Sequence, residues 1–260
     1  MELPDAVCHI VDQAGFGPFC RGLSRLTARR PLLAALVKRW WDTTDSIYLS
    51  TTWEMKMTPF NFSMLTDIGV GGNPIPYDID MDEWDTAQMY LLDDRPPLCH
   101  PGFVRYSWFE DHFRIQAPTT REEEGQYAHG FIMFLLGTIL FADQENSVAL
   151  YLLSALVDVT RIRRYDWGGA GLATLYGYMS SSSRCSGHLL GGYWLAPVLA
   201  EKIPLGVPFS HRFDISWQPW APLPDAMREQ YAGARGTARF RVLLEGPVYR
   251  VWSLGEHFLH

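Results

Sequence analysis

Hydrophobic residues recur at helical spacing along the first part of the chain. Apolar side chains three and four positions apart form one stripe: Val7, Ile10, Val11 and Ala14. This pattern predicts an N-terminal helix that ends at Gly15. A second helix is predicted to begin at Pro31, because proline is favoured in a first helical turn. Its apolar stripe extends from Leu33 to Trp41.

Two segments in the middle of the chain are apolar on every side. Thr120 and Glu123 have the spacing of a capping box, and the helix that they begin is predicted to run to about Phe141. Another helix is predicted from about Ser147 to Val159. Because a helix without a polar face must be enclosed by other elements, these two helices should form the centre of the fold.

A glycine-rich helix is predicted next, with Asp166 as its N-cap. Its apolar face includes Leu172 and Tyr176. A row of small residues is expected to let another helix approach closely: Gly169, Ala173 and Gly177. Two more helices are predicted over 189–202 and 224–232.

Short β-rich segments accompany the helices, and hairpins are predicted near 47–57 and 239–253. A helix is predicted over 60–68, and the glycine-rich stretch 69–74 that follows is predicted to be a turn. We therefore predict a mainly α fold, in which residues 1–260 form a single compact helical domain with small β-hairpins.

Residues 76–120 are the least regular part of the chain, and we interpret them as a variable insertion in that domain. Short helices are predicted within this segment around Trp84–Leu92 and Val104–Phe113.

Composition indicates a folded domain with a large interior. The 260 residues are 47% hydrophobic and 20% charged, so the chain can bury a sizeable core. The net charge of −7 argues against non-specific binding of nucleic acid, which needs an excess of lysine and arginine. No apolar run approaches the roughly 20 residues of a membrane-spanning helix, so no membrane contact is expected.

The cysteines point to a reducing compartment. They lie far apart and include no C-x-x-C pair: Cys8, Cys20, Cys99 and Cys185. Since no leader-like segment is recognisable either, we expect an intracellular protein.

No catalytic, cofactor-binding or metal-binding residue is predicted. A pyridoxal-phosphate enzyme needs a lysine for its Schiff base and a cup for the phosphate, whereas Lys38, Lys56 and Lys202 are interpreted as surface or paired cations. The C-terminal Glu256-His257-x-x-His260 lacks the order that places two ligands and a base on one helix face.

An arginine cluster is the remaining candidate for a binding surface: Arg161, Arg163 and Arg164. Cations are favoured at helix C-termini by the helix dipole, which is the simpler interpretation. A surface for an acidic partner or a phosphate stays open beside it.

Two sequence signatures resemble those of the plant mobile domain family. The first runs from Trp53-Glu54-Met55-Lys56-Met57-Thr58 into the turn that contains Gly69, Gly72 and Pro74. The second is Tyr165-Asp166-Trp167-Gly168-Gly169-Ala170-x-Leu172-Ala173-x-Leu175-Tyr176. The closing Trp252-x-Leu254-Gly255-Glu256 is similar to the end of the transposon-associated branch of the family.

The resemblance implies a domain of plant nuclear proteins of the meristem-maintenance type. Such domains are linked to the silencing of transposable elements and the control of gene expression, and some occur inside transposable elements. Some partner with a PP7-type phosphatase-like protein. The family also carries an "aminotransferase-like" label, which the residues present do not support.

The signature residues are interpreted as architectural. Glu54 is predicted to form a buried ion pair with an arginine such as Arg164 or Arg250. We predict a non-catalytic protein-interaction module that works in the nucleus without a cofactor, or a transposon-captured copy of one. The alternatives are an enzyme with a dispersed or degenerate active site and a nucleic-acid-binding domain that uses the arginine patches 21–30 and 161–164.

Overall fold

The computed structural model describes residues 3–23, 35–50, 53–77, 84–114, 118–142, 145–184 and 241–253. Within these ranges the α-helices are α1 (Asp5–Gln13), α2 (Gly17–Leu23), α3 (Pro59–Thr66), α4 (Trp84–Leu92), α5 (Tyr106–Arg114), α6 (Arg121–Leu135), α7 (Val159–Ile162) and α8 (Trp167–Arg184). The strands are β1 (Trp40–Trp41), β2 (Ser46–Ser50), β3 (Trp53–Met55), β4 (Leu98–His100), β5 (Phe103–Arg105), β6 (Ser147–Ala149), β7 (Val242–Glu245) and β8 (Arg250–Ser253).

The strands form small antiparallel sheets in the orders β1–β2–β3, β4–β5–β6 and β7–β8. Two of these sheets contain the predicted hairpins, β2–β3 and β7–β8. The prediction of a mainly α fold with small hairpins is confirmed. In the described part of the chain, no helix is both long and apolar enough to cross a membrane.

Helix α6 lies at the centre of the fold and begins with the predicted capping box. Thr120 Oγ1 accepts the Glu123 N–H at 3.2 Å, and Glu123 Oε2 accepts the Thr120 N–H at 3.3 Å. A π-helical turn, Leu136–Leu140, extends the helix and ends where the Phe141 N–H donates to Leu136 O, so the predicted end is also confirmed. Its inner side chains are fully buried: Ile132, Met133 and Leu136.

The helix predicted from Ser147 to Val159 is wrong. This segment forms β6 and then a 3₁₀ helix, Leu150–Ala155. Val148 packs on Gly137 of the π-helical turn, where an added Cβ would lie 2.6 Å from the Val148 Cβ. A short run that is apolar on every side suits a buried strand as well as a buried helix. Pairing with β5 selects the strand.

The helix predicted from Pro31 does not extend through Trp40 and Trp41, so this end of the prediction is wrong. Both tryptophans lie in β1, where successive side chains point to opposite faces of the sheet. Trp40 is therefore buried, whereas Trp41 is 58% exposed.

Helix α8 is confirmed, but a hairpin occupies part of its small-residue face, where another helix was predicted. The Tyr249 ring lies where a side chain on Gly177 would be, and a Cβ at Gly246 would lie 2.9 Å from Ala170 O. Helix α3 approaches α8 at Gly171 instead.

The irregular segment 76–120 contributes to the core. Helix α4 has the predicted bounds, whereas Val104 and Arg105, predicted as the start of a helix, lie in β5 before α5 begins. Several of its side chains are buried: Leu91, Leu92, Val104 and Phe109. That the segment is an insertion, and that residues 1–260 form one domain, stay predictions. The helices predicted over 189–202 and 224–232 lie outside the described residues.

Candidate functional site

The two signature segments meet, and hydrogen bonds between backbone groups join them. The Asn73 N–H donates to Arg164 O at 2.9 Å, and the Asp166 N–H donates to Asn73 O at 2.9 Å. Asn73 and Tyr165 thereby form a short parallel bridge. We call this junction of residues 69–74 with residues 164–169 the motif clasp.

Two signature glycines let the backbones of the motif clasp approach one another. A Cβ at Gly72 would lie 2.6 Å from Arg164 O. A Cβ at Gly168 would overlap Gly69 O, the atom that accepts the Gly168 N–H. Pro74, at the end of the turn, is exposed. The glycines are therefore required by contacts within the chain.

Asp166 fastens the motif clasp to helix α8. Its Oδ1 accepts the Gly169 N–H at 2.7 Å, as the predicted N-cap should, and the Gly71 N–H from the opposite segment at 2.9 Å. Burial raises the pKa of the Asp166 carboxyl, and the two N–H donors oppose that rise. One carboxylate thus satisfies donors on both sides of the junction.

Trp167 anchors the start of helix α8 in the core. Its Nε1–H donates to Ile162 O at 2.8 Å, and its ring centroid lies 5.7 Å from that of Phe16. Tyr165 meets the Trp167 ring edge-on at 6.3 Å. This indole is buried on all sides and has its polar atom satisfied, so it is part of the packing.

Tyr176 connects helix α8 to the first signature. Its hydroxyl donates to Met57 O, and its ring lies 5.4 Å from the Trp40 ring, whose Nε1–H donates to Ser180 Oγ. Tyr176 and Leu172 are fully buried. The first signature therefore contacts α8 through Tyr176 as well as through the motif clasp.

A buried polar cluster lies beside Tyr176. Lys56 is interpreted from the sequence as a surface or a paired cation, and the structure excludes the surface position because Lys56 is only 8% exposed. Its Nζ donates to Thr44 O at 3.2 Å. Burial lowers the pKa of Lys56, opposed by the charges of Asp45 and Glu54. Burial also raises the pKa of Asp45 to about 6, opposed by the Lys56 charge. Sequence reasoning missed this cluster because nothing in the pattern marks Asp45 as buried.

The predicted ion pair of Glu54 is wrong. Glu54 is exposed on β3 and accepts the Ser46 hydroxyl at 2.5 Å. Arg250 pairs instead with Glu245 of the same hairpin, Nε to Oε1, at 3.2 Å. Residues two apart on a strand share a face, but β3 ends at Met55, so alternation does not extend to Lys56. The exposure of Glu54 and the burial of Lys56 are therefore compatible.

The face of the first sheet that carries Glu54 also carries two exposed aromatic side chains. Trp41 is 58% exposed and Tyr48 is 37% exposed, and their ring centroids lie 6.0 Å apart at an interplanar angle of 68°. Trp53, the first signature residue, lies in β3 at the edge of the same sheet. Sequence reasoning missed this face because it placed Trp41 on a helix.

The arginine cluster lies at the C-terminus of helix α7, as the simpler interpretation predicts. Arg161 pairs with Asp158, Nε to Oδ2, at 3.1 Å, and Arg163 and Arg164 are exposed. All three arginine side chains are therefore accessible at the surface.

The remaining signature residues lie near the C-terminus. Trp252 is 48% exposed on β8, and the Arg241 guanidinium lies 4.4 Å from its ring centroid. Gly255 and Glu256 lie outside the described residues. Among the described histidine, cysteine, aspartate and glutamate side chains, no group is arranged to hold a metal ion.

The fold and the motif clasp define a mainly helical domain in which two sequence signatures contact one another. The family model of the plant mobile domain matches residues 20–195, and the chain belongs to that family.

Two curated relatives come from Arabidopsis thaliana. The chain is 28% identical to Protein MAIN-LIKE 2 over 180 residues, which cover 67% of this chain and 26% of that protein. It is 27% identical to Protein MAIN-LIKE 1 over 193 residues, which cover 70% of this chain and 37% of that protein. The matched region therefore spans only about a quarter to a third of these relatives. No solved structure gives a significant match.

Proposed function

We propose that this chain is a non-catalytic protein-interaction module that acts in the nucleus in the regulation of gene expression and the silencing of transposable elements, or a transposon-captured copy of such a module. The observation that carries the proposal is an exposed pair of aromatic side chains outside the signatures. Signature rings such as Trp167 and Tyr176 are buried in contacts within the chain, whereas Trp41 and Tyr48 form an exposed pair.

Exposed aromatic side chains in contact with one another are typical of protein interfaces, where tryptophan and tyrosine contribute much of the binding energy. The nuclear setting and a PP7-type phosphatase-like protein as partner follow from the family resemblance, and the two MAIN-LIKE relatives support that resemblance. Net charge disfavours nucleic acid as the main partner.

Affinity purification of the full chain from plant nuclei tests the proposal. Wild type should retain a defined set of proteins that is lost when Trp41→Ala and Tyr48→Ala are combined. Tyr90→Ala is the matched control, because Tyr90 is an exposed tyrosine on helix α4. Failure of the wild type to retain any protein above the untagged control would contradict the proposal.

The second candidate function is an enzyme, favoured by the buried cluster of Asp45, Lys56 and Tyr176. Perturbed ionisable groups close together are typical of active sites, although structural networks produce them too. Incubation of purified chain with a panel of amino acids, keto acids and aldehydes, followed by mass spectrometry, distinguishes the two. Turnover that Lys56→Met abolishes would favour the enzyme.

A further inference from the structure

Strand register places four side chains on one face of the β1–β2–β3 sheet. Trp41 lies opposite Ser46, and Tyr48 lies opposite Glu54. Ser46 and Tyr48 are two positions apart on β2. Because directly opposed residues and residues two apart on a strand share a face, all four side chains lie on the same side.

A hydrogen bond holds the Glu54 carboxylate at Ser46, the residue that neighbours both aromatic positions in the sheet. Glu54 Oε1 lies 2.5 Å from Ser46 Oγ, and Ser46 is fully buried although it lies on this outer face. Trp41 lies directly across the sheet from this serine, and Tyr48 lies two positions further along the same strand. The two rings stand at 68° to one another, with their centroids 6.0 Å apart, and both remain accessible.

This combination has the chemistry of a cation site. The faces of tryptophan and tyrosine rings carry partial negative charge and attract cations, most strongly those that are weakly hydrated. A carboxylate beside the rings adds a full negative charge and accepts N–H donors. A guanidinium is planar, weakly hydrated and forked, so it can stack on a ring and donate to the carboxylate at the same time.

We propose that Trp41, Tyr48 and Glu54 bind an arginine side chain presented by a partner protein. This inference rests on the proposed function, since it names the kind of group that the interaction module would recognise. The chain contains the same pairing elsewhere, because Arg241 stacks on the exposed Trp252.

The cations near the site differ in their roles. Arg184 Nε–H donates a hydrogen bond to Asp42 Oδ2 at 2.6 Å. Lys56 is buried and donates to Thr44 O. The backbone carbonyl of Arg39 accepts a hydrogen bond from the Tyr48 N–H at the edge of the sheet.

Titration of the full 260-residue chain with short capped peptides tests the site directly. The probe is a glycine peptide with one central arginine, and the readout is the NMR signal of the Trp41 indole N–H, assigned by its loss in Trp41→Phe. The citrulline peptide is the matched probe, because citrulline has nearly the same shape without the charge. We expect saturable shifts with arginine and none with citrulline.

Each variant should lower the affinity for the arginine peptide according to the interaction that it removes. Glu54→Gln should lower this affinity about tenfold, as expected for a charge-assisted hydrogen bond. Tyr48→Leu should lower the affinity about three- to fivefold, as expected for an exposed cation–π contact. Tyr90→Leu and Asp85→Asn, which change an exposed tyrosine and an exposed acid on helix α4, should leave binding unchanged. Circular dichroism verifies that each variant is folded.

Three results would overturn the inference: equal shifts with citrulline, unchanged affinity in folded Glu54→Gln, or tighter binding of a trimethyllysine peptide than of the arginine peptide. The two proposals fail separately. If nuclear proteins bind wild type and are retained by Glu54→Gln and Tyr48→Leu, the arginine site is wrong and the interaction module stands. If the arginine peptide binds as described but wild type retains no nuclear protein, the interaction module is wrong.

Discussion

Gly72 lies so close to Arg164 that a Cβ on the glycine would be 2.6 Å from the Arg164 carbonyl oxygen. The two residues belong to segments far apart in the sequence, and Asn73 is hydrogen-bonded to the same carbonyl. Backbone atoms cannot move aside as the end of a flexible side chain can, so the distance between the segments depends on the absence of a side chain.

Adding a methyl group inside the motif clasp should therefore destabilise the fold. Gly72→Ala and Gly168→Ala should each lower the free energy of unfolding by about 1–3 kcal/mol, the usual cost of overpacking. Gly69→Ala is the matched control, since nothing lies within 4 Å of a Cβ built at Gly69. Urea denaturation followed by circular dichroism measures all three. Equal stability of Gly69→Ala and Gly168→Ala would contradict the overlap in the clasp.

The clasp also shows how much of the site the sequence could predict. Both signatures are visible in the chain, and so is the N-cap role of Asp166, because local spacing defines a cap. That the signatures dock on one another is not visible, since the contact joins backbone atoms of Asn73 and Arg164. Hydrogen bonds between backbone groups depend on tertiary position and do not require particular side chains, so the sequence pattern does not reveal them.

The fold was predictable to a similar degree. The long helices α6 and α8 follow from capping residues and apolar periodicity, and the hairpins follow from short β-rich segments. The prediction failed for Ser147–Ala149 and for Trp40–Trp41, where a short apolar run fits a strand and a helix equally. In both segments, pairing with a neighbouring strand selects the β conformation. The error at Trp41 hid the exposed aromatic face, and the buried polar cluster was missed because nothing in the pattern marks Asp45 as buried.

Asp45→Asn should change how stability depends on pH. Burial raises the pKa of Asp45 from 3.8 to about 6. Between these values the native protein holds a proton that the unfolded chain has lost, so wild-type stability should fall as pH rises through this window. Asparagine has no such proton and tolerates the left-handed backbone at this position, φ +51°. The free energy of unfolding of Asp45→Asn, relative to wild type, should therefore increase from the low to the high end of the window. Parallel curves would show that the carboxylate is not disfavoured in the fold.

Tyr176→Phe should destabilise the contact between helix α8 and the first signature. The variant keeps the ring but removes the hydroxyl that donates to Met57 O, which leaves a carbonyl without that donor in the interior. We expect a loss of about 1–3 kcal/mol in the free energy of unfolding. Tyr90→Phe, at a residue 66% exposed, should stay within about 0.5 kcal/mol of wild type. Thermal and urea denaturation of both variants provide the comparison. A loss as small as that of Tyr90→Phe would show that the hydroxyl does not hold the two segments together.

His129 should make the protein sensitive to acid. It lies on helix α6 and is 8% exposed, and neither ring nitrogen makes a hydrogen bond of good geometry with the described residues. Burial lowers the pKa of His129 below the ordinary 6.5, opposed by the backbone carbonyls of Leu91 and Leu156. As pH falls below 6.5, the unfolded chain takes up the proton before the native state does, so stability should fall.

Replacing His129 by phenylalanine should remove this acid sensitivity. Repacking around the new ring changes stability by an amount that does not depend on pH. The informative quantity is therefore how the free energy of unfolding of the variant, relative to wild type, changes as pH falls below 6.5. His129→Phe should become progressively more stable relative to wild type. Asp45 acts in the opposite direction over an overlapping range, but it is present in both proteins and cancels in the comparison. A difference that stays constant with pH would mean that the native state accommodates the imidazolium as readily as water does.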